Sequence, residues 1–158
     1  MVKAARPGER IPIASDHAGF ELKERLRVTL ADMGFEVEDI GTHSTASTDY
    51  PDYAHPLAEA VSSGEATRGV LLCGTGLGMS YVANRYPGVR AAVAWTPEIA
   101  LLARKHNDAN ILTMGGRIVA KELGWEITRT FLATPFLKGK HLRRVNKIKR
   151  MEHDPDST

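Results

Sequence analysis

The stretch that most constrains this chain is Gly69-Val70-Leu71-Leu72-Cys73-Gly74-Thr75-Gly76-Leu77-Gly78-Met79-Ser80. Val70 to Cys73 has no polar position and reads as a buried strand. Glycines at alternate positions follow, and Met79 to Arg85 can be helical. A strand that enters a helix through a glycine-rich turn aims several backbone N–H groups at one spot. That arrangement suits a phosphate or a developing oxyanion. Cys73, the only cysteine in the chain, stands at the strand end beside those groups.

The common glycine motifs do not fit. A dinucleotide fingerprint needs Gly-x-Gly-x-x-Gly; counted from Gly74 the last position is Met79, and counted from Gly76 it is Tyr81. The residues after the next strand are Trp95 and Thr96, with no acid to hold a ribose. A P-loop would need Gly-Lys-Ser/Thr, and a phosphate-binding cysteine loop would need Arg where Met79 stands. By itself the stretch leaves two readings open: a functional turn, or a tight turn with a buried, inert thiol.

A chain of 158 residues predicts one domain with a sizeable core, here taken as residues 1–158 with residues 1–10 as a polar N-terminal extension. The net charge of +2 is too small to imply nucleic-acid binding. A single cysteine allows no internal disulfide and predicts a reducing, cytoplasmic setting. No apolar run approaches the roughly 20 residues of a membrane span, so no membrane partner is expected.

In order, Ile11 to Ser15 is the first strand, although Pro12 should confine it to an edge or a strand start. Asp16 to Gly19 is its exit loop. Leu22, Leu26, Leu30 and Met33 recur at helical spacing, and Gly34 ends that helix. Phe35 to Ile40 alternates as a second strand, and Gly41 to Asp49 is a polar loop. Pro51 opens a helix that Pro56 should distort and Gly64 stops. Val89 to Ala94 is the fourth strand. Thr96-Pro97-Glu98 starts a helix with a capping hydroxyl, a proline at the first position and an acid at the positive end. Its predicted apolar face is Ile99, Leu102, Ala103 and His106. Ala109 to Met114 is the fifth strand, with Gly115-Gly116-Arg117 as its exit. Val119, Leu123, Ile127 and Phe131 build a helix that Pro135 closes. Strands alternating with helices predict an α/β fold: a five-stranded parallel, Rossmann-like sheet in a three-layer αβα sandwich. Ligands of such sheets bind beyond the carboxyl ends of the strands.

The tail differs in kind. Lys138, Lys140, Arg143, Arg144, Lys147, Lys149 and Arg150 occur with no acid among them, while Leu142, Val145, Ile148 and Met151 repeat every third residue. One basic helix over 138–152 is predicted. It is either a solvated helix packed on its own domain or an arm that docks on a partner subunit and brings cations to an anionic ligand.

Five motifs now stand in order: Ser15-Asp16-His17-Ala18-Gly19-Phe20, Thr48-Asp49-Tyr50-Pro51, Cys73 to Gly78, His106-Asn107-Asp108-Ala109-Asn110 and Gly115-Gly116-Arg117. With them the chain resembles the type B ribose-5-phosphate isomerases, a family that includes the galactose-6-phosphate isomerase subunits, from about Ile11 to Met151. The resemblance implies a homodimer, or a dimer of dimers, that interconverts ribose 5-phosphate and ribulose 5-phosphate with no metal or cofactor. It implies that Cys73 moves a proton between C1 and C2 of the open sugar and that His106 opens the furanose ring. It also implies substrate contacts from Asp16, His17 and Asn107. The N–H groups of Gly74, Thr75, Gly76, Leu77 and Gly78 would hold the enediolate oxygen, and Arg117 and Arg144 the phosphate. Lys140 stands where the family commonly has arginine, which keeps the charge and loses the two-point grip. In one branch a Glu at the position of Met79 is the base; Met79 cannot take a proton, so this chain resembles the cysteine branch.

The chemistry is coherent with those residues. Removing a C–H proton beside a carbonyl leaves an enediolate that needs donors at its oxygen. A thiolate serves as base where N–H dipoles stabilise it, and an imidazole suits ring opening. Without the resemblance each residue has a structural role open to it: Asp16 as a helix cap, His17 as a loop residue, His106 as a core histidine, Asn107 as a helix stop, Arg117 as a surface ion pair. A non-catalytic sugar-phosphate or nucleotide sensor, and an isomerase of a six-carbon aldose phosphate or a tetrulose phosphate, are the competing functions. Topology adds one expectation. Cys73 ends a strand, whereas His106 and Asn107 end the helix that runs back, ~15 Å away at ~1.5 Å per residue. The catalytic pair is therefore expected across a subunit interface.

Overall fold

The computed structural model describes residues 2–149. Its elements are β1 (Arg10–Ser15), α1 (Phe20–Asp32), β2 (Glu36–Gly41), α2 (Tyr50–Ser63), β3 (Gly69–Cys73), α3 (Leu77–Ala83), β4 (Ala91–Val93), α4 (Pro97–Asn107), β5 (Ile111–Gly115), α5 (Lys121–Ala133) and α6 (Gly139–Ile148). The strands form one parallel sheet in the order β2-β1-β3-β5-β4. Among the described residues no helix is long and apolar enough to cross a membrane.

The period of two along the strands sorts the core into two layers. Val70 and Leu72 of β3 face α1, α4 and α5, packing with Leu26, Ala103 and Phe131. Leu71 and Cys73 face the other way, against Leu57 and Ala58 of α2 and Met79 of α3. The expected three layers are thus present. The chain winds outward from β1 to β2 and then returns to place β3 on the other side of β1. That reversal opens a crevice between the carboxyl ends of β1 and β3.

Several boundaries shift for identifiable reasons. Pro12 lies in an interior strand, not an edge, but pairing of β1 with β3 begins only at Ile13↔Val70, so the missing N–H falls at the strand start. Helix α2 runs unbroken through Pro56, with Ala54, Leu57 and Ala58 buried around it. Helix α3 starts at Leu77, because Gly76 supplies a left-handed N-cap (φ +87°). It stops before Asn84, whose side chain bonds the backbone of Ala91 at both ends. Strand β4 is three residues long, since the Arg90 N–H goes to Asn110 Oδ1 (2.8 Å). Strand β5 begins at Ile111 because the Ala109 N–H closes the end of α4 on Ala103 O (3.0 Å) around Asp108 in the left-handed region (φ +50°).

The buried residues of α4 are Ala100, Ala103 and Arg104, so of the predicted face only Ala103 is buried, and Ile99 is 46% exposed. Arg104 takes the core position by bonding Asp108 Oδ1, Ala109 O, Thr134 O and Val2 O. Met33 lies past the end of α1 and is exposed. The N-terminal extension is docked: Val2 N–H reaches Asp108 Oδ1, Ala5 N–H reaches Leu132 O, Gly8 N–H reaches Gly34 O, and Arg10 already belongs to β1. Helix α6 packs on α4 of its own chain through buried Val145 and leaves Ile148 exposed. The Arg150 and Met151 positions of the predicted basic helix lie outside the described residues.

Candidate active site

The turn after β3 is set by backbone geometry. Gly76 adopts φ +87°, and a Cβ there would stand 3.0 Å from the backbone of Met114. In that conformation the Gly76 N–H donates to Cys73 Sγ at 3.1 Å. The thiol is 4% exposed and free. An N–H aimed at sulfur is a hydrogen-bond donor of the kind that a cysteine base uses. The Leu77 N–H is committed to Thr75 Oγ1 (3.2 Å).

The loops after β1 and β5 close around this turn. A Cβ on Gly116 would stand 2.4 Å from Ala18 O, so the two loops touch backbone to backbone. Asp16 Oδ1 accepts the N–H groups of Ala18 (2.9 Å) and Gly19 (3.1 Å) ahead of α1, which is the structural role that the sequence left open. Asp16 also lines the cavity. His17 Nδ1 accepts the Thr48 N–H at 3.1 Å, which leaves Nε2 to carry the proton of the neutral ring. The Arg117 guanidinium lies over Gly74, where an added Cβ would be 3.4 Å from Nη1. Asp16, His17, Ala18, Tyr50, Cys73, Gly74, Thr75, Gly78 and Arg117 line one cavity of about 240 Å³.

The other sequence-predicted residues gather elsewhere. His106, Asn107, His141, Arg144, Val145 and Ile148 line a second cavity of about 350 Å³. Asp108 fixes this end of α4 by accepting from Arg104 (3.0 Å), Arg90 (3.1 Å) and the Val2 N–H (3.1 Å). His106 and His141 stack, with ring centroids 4.2 Å apart and planes 12° from parallel. Desolvation, then the charges of His106, Lys140 and Arg144, lower the pKa of His141 below its usual 6.5. Lys140 is exposed and lines neither cavity.

The two groups sit at opposite ends of β5. Cys73 is paired with Gly115, the last residue of β5, whereas His106 and Asn107 precede Ile111, its first. Four residue steps at ~3.3 Å each put the ends of β5 ~13 Å apart, too far for proton transfer between groups that must approach to ~3 Å. Within one chain Cys73 and His106 therefore line two separate cavities.

Five lining residues were absent from the sequence-predicted set, Ala18, Tyr50, His141, Val145 and Ile148, and of these Tyr50 and His141 carry polar groups. Tyr50 packs its ring so closely on Gly78 that a Cβ there would be 2.7 Å away; its Thr48-Asp49-Tyr50-Pro51 motif was the available signal. His141 had none, because only the docking of α6 on α4 brings it to His106. Leu77, by contrast, does not line the cavity and is 38% exposed.

The ribose/galactose isomerase family profile matches residues 11–148. A ribose-5-phosphate isomerase B of Escherichia coli is 43% identical over 144 residues, covering 91% of this chain and 97% of that protein. The crystal structure of a ribose 5-phosphate isomerase of Thermotoga maritima is similar with a TM-score of 0.87 and 55% identity, covering 89% of this chain and 97% of that one. The ribose-5-phosphate isomerase B of Mycoplasma genitalium, solved with bound ribulose-5-phosphate, has a TM-score of 0.88 and 38% identity, covering 93% and 98%.

Proposed function

The chain belongs to the ribose/galactose isomerase family and is an aldose–ketose isomerase; we propose that it interconverts ribose 5-phosphate and ribulose 5-phosphate by the following division of labour. His106 opens the furanose by taking the proton from the anomeric hydroxyl and returning one to the ring oxygen. The Cys73 thiolate then removes the C2 proton of the open aldehyde and delivers it to C1. Between those steps the negative charge passes to oxygen as an enediolate, and the proton of the C2 hydroxyl moves to O1, so that protonation at C1 leaves a C1 alcohol and the C2 ketone. Gly76 and Leu77 have their amides committed to Cys73 Sγ and Thr75 Oγ1, so Gly74, Thr75 and Gly78, which line the cavity, are the donors left for the enediolate oxygen. Asp16, His17 and Asn107 orient the hydroxyls. Arg117 and Arg144 hold the phosphate, whose binding energy fixes the reacting end. The Cys73–Gly76 contact is the observation that carries this reading.

Because the two cavities lie at opposite edges of one sheet, the working unit is a homodimer in which Cys73 of one protomer meets His106 of the other. A two-fold axis makes two such sites. The enzyme works in the cytoplasm and takes no cofactor. The test is direct: purified protein is mixed with ribose 5-phosphate and ketose is measured over time, beside galactose 6-phosphate, allose 6-phosphate and a tetrose phosphate. Ribulose 5-phosphate should accumulate, with the pentose the best substrate of the panel. Folded protein that yields no ketose from ribose 5-phosphate would refute the assignment.

A further inference from the structure

The ring of His106 is oriented in an unusual way for an acid–base imidazole. Such a ring is ordinarily aligned by an acceptor on its far nitrogen. Neither ring nitrogen of His106 has a hydrogen-bond partner among the described residues; its close ring contact is the face of His141, 4.2 Å away and nearly parallel. Rotation about the last side-chain torsion of histidine is soft. A flat neighbour removes that freedom, because turning the ring would drive its edge into the stacked face. Stacking also leaves both nitrogens on the open edge of the ring, where each remains available for proton transfer.

Both rings hang from anchored backbone. His106 is in the last turn of α4, two residues before Asp108 and its two guanidinium partners. His141 is in the first turn of α6, its N–H bonded to Lys138 O at 3.0 Å, with Val145 buried one turn later. The Leu137 N–H bonds Lys105 O at 3.2 Å, which ties the entry to α6 to the residue next to His106.

We propose that His141 is the positioning residue of His106, its stacked ring fixing the plane in which His106 meets the ring oxygen of the closed sugar. The proposal rests on His106 being the ring-opening group. It separates ring opening from the proton transfer at carbon, since ribulose 5-phosphate has no free 5-hydroxyl and reaches the enediolate without any ring step.

The experiment uses that separation. Wild type, His141→Ala and His141→Phe are assayed for conversion of ribose 5-phosphate and, in D2O, for deuterium wash-in at C1 of ribulose 5-phosphate. In His141→Ala, conversion should fall about tenfold or more in kcat with KM within about twofold, while wash-in stays within about twofold of wild type. His141→Phe keeps a flat face and should restore most of the conversion. If His141→Ala does not fold, His141→Leu, which keeps bulk without a flat face, should show the same split. Conversion and wash-in falling together, a rise confined to KM, or full activity in the Ala or Leu variant would each overturn the proposal. In Cys73→Ala both conversion and wash-in should be lost; conversion that survives there would instead overturn the Cys73 mechanism, so the two failures are distinguishable.

Discussion

The sulfur of Cys73 and the backbone nitrogen of Gly76 stand 3.1 Å apart, with the amide hydrogen directed at the sulfur. The contact exists because Gly76 occupies a left-handed conformation against the backbone of Met114. Cys73→Ala should lower kcat by on the order of 10³-fold, the scale of a positioned acid–base group, and leave KM near wild type. The fold should survive, since the deletion removes one small atom from a core of larger side chains, at a cost of about 1 kcal/mol. Steady-state kinetics with a circular-dichroism melt decides it. Turnover near wild type would exclude Cys73 as the base.

The proposed phosphate ligands Arg117 and Arg144 and the nearby Lys140 are placed differently. Arg144 lines the His106 cavity and Arg117 the Cys73 cavity, whereas Lys140 lines neither and is exposed. Losing a charged hydrogen-bond donor costs about 1.5–3 kcal/mol. Arg144→Ala and Arg117→Ala should therefore each raise KM by roughly 10- to 150-fold. Lys140→Arg should change KM by less than about threefold. An unchanged KM in Arg144→Ala would make α6 a solvated helix.

The separation of Cys73 from His106 was legible because it depends on topology alone: strand ends and helix ends fall on opposite edges whatever the side chains do. So were the loops of the site, since glycine turns and a lone polar residue after an apolar strand are local signals. What sequence reading mislaid were positions decided by tertiary partners. Arg104 looks like a surface residue of α4, yet it is fully buried because Asp108 and three carbonyl oxygens meet it there. Ile99 looks like core and is exposed. No glycine ends α4; Asp108 itself takes the left-handed cap, which an aspartate tolerates better than most residues.

Lys138 holds a conformation that suits glycine. Its φ of +62° and ψ of −129° lie outside the regions that side chains favour. Strain of this kind costs about 1–3 kcal/mol, and glycine relieves it at some cost in chain entropy. Lys138→Gly should stabilise the protein by about 1 kcal/mol, or roughly 2–4 °C in Tm for a chain of this size. Thermal and urea unfolding check the sign. A lower Tm would mean that the lysine side chain makes a contact worth more than the strain.

His141 makes stability depend on pH with a definite sign. Its pKa in the folded protein is lowered from 6.5 by desolvation, then by His106, Lys140 and Arg144. In the window just below 6.5 the unfolded chain binds more protons than the folded one, so stability rises with pH there and falls as pH drops. His141→Phe cannot titrate. Between pH 7 and pH 5 its Tm should fall less than that of the wild type. Parallel Tm curves would show that His141 does not contribute.

In the proposed dimer only two chains together complete the catalytic pair, and subunit mixing reads this out as a number. Cys73→Ala damages one half of a composite site and His106→Ala damages the other. Each homodimer of either variant has two dead sites. A mixed dimer carries both lesions in one site and neither in the second. Random exchange of equal amounts makes about half of the dimers mixed, each with one of two sites intact, so about a quarter of wild-type activity should return. The measurement is turnover after the subunits are dissociated and re-annealed, with mass spectrometry of differently tagged chains to count heterodimers. Heterodimers that form without recovered turnover would mean that each chain completes its own site, and that α4 does not carry His106 to a neighbouring protomer.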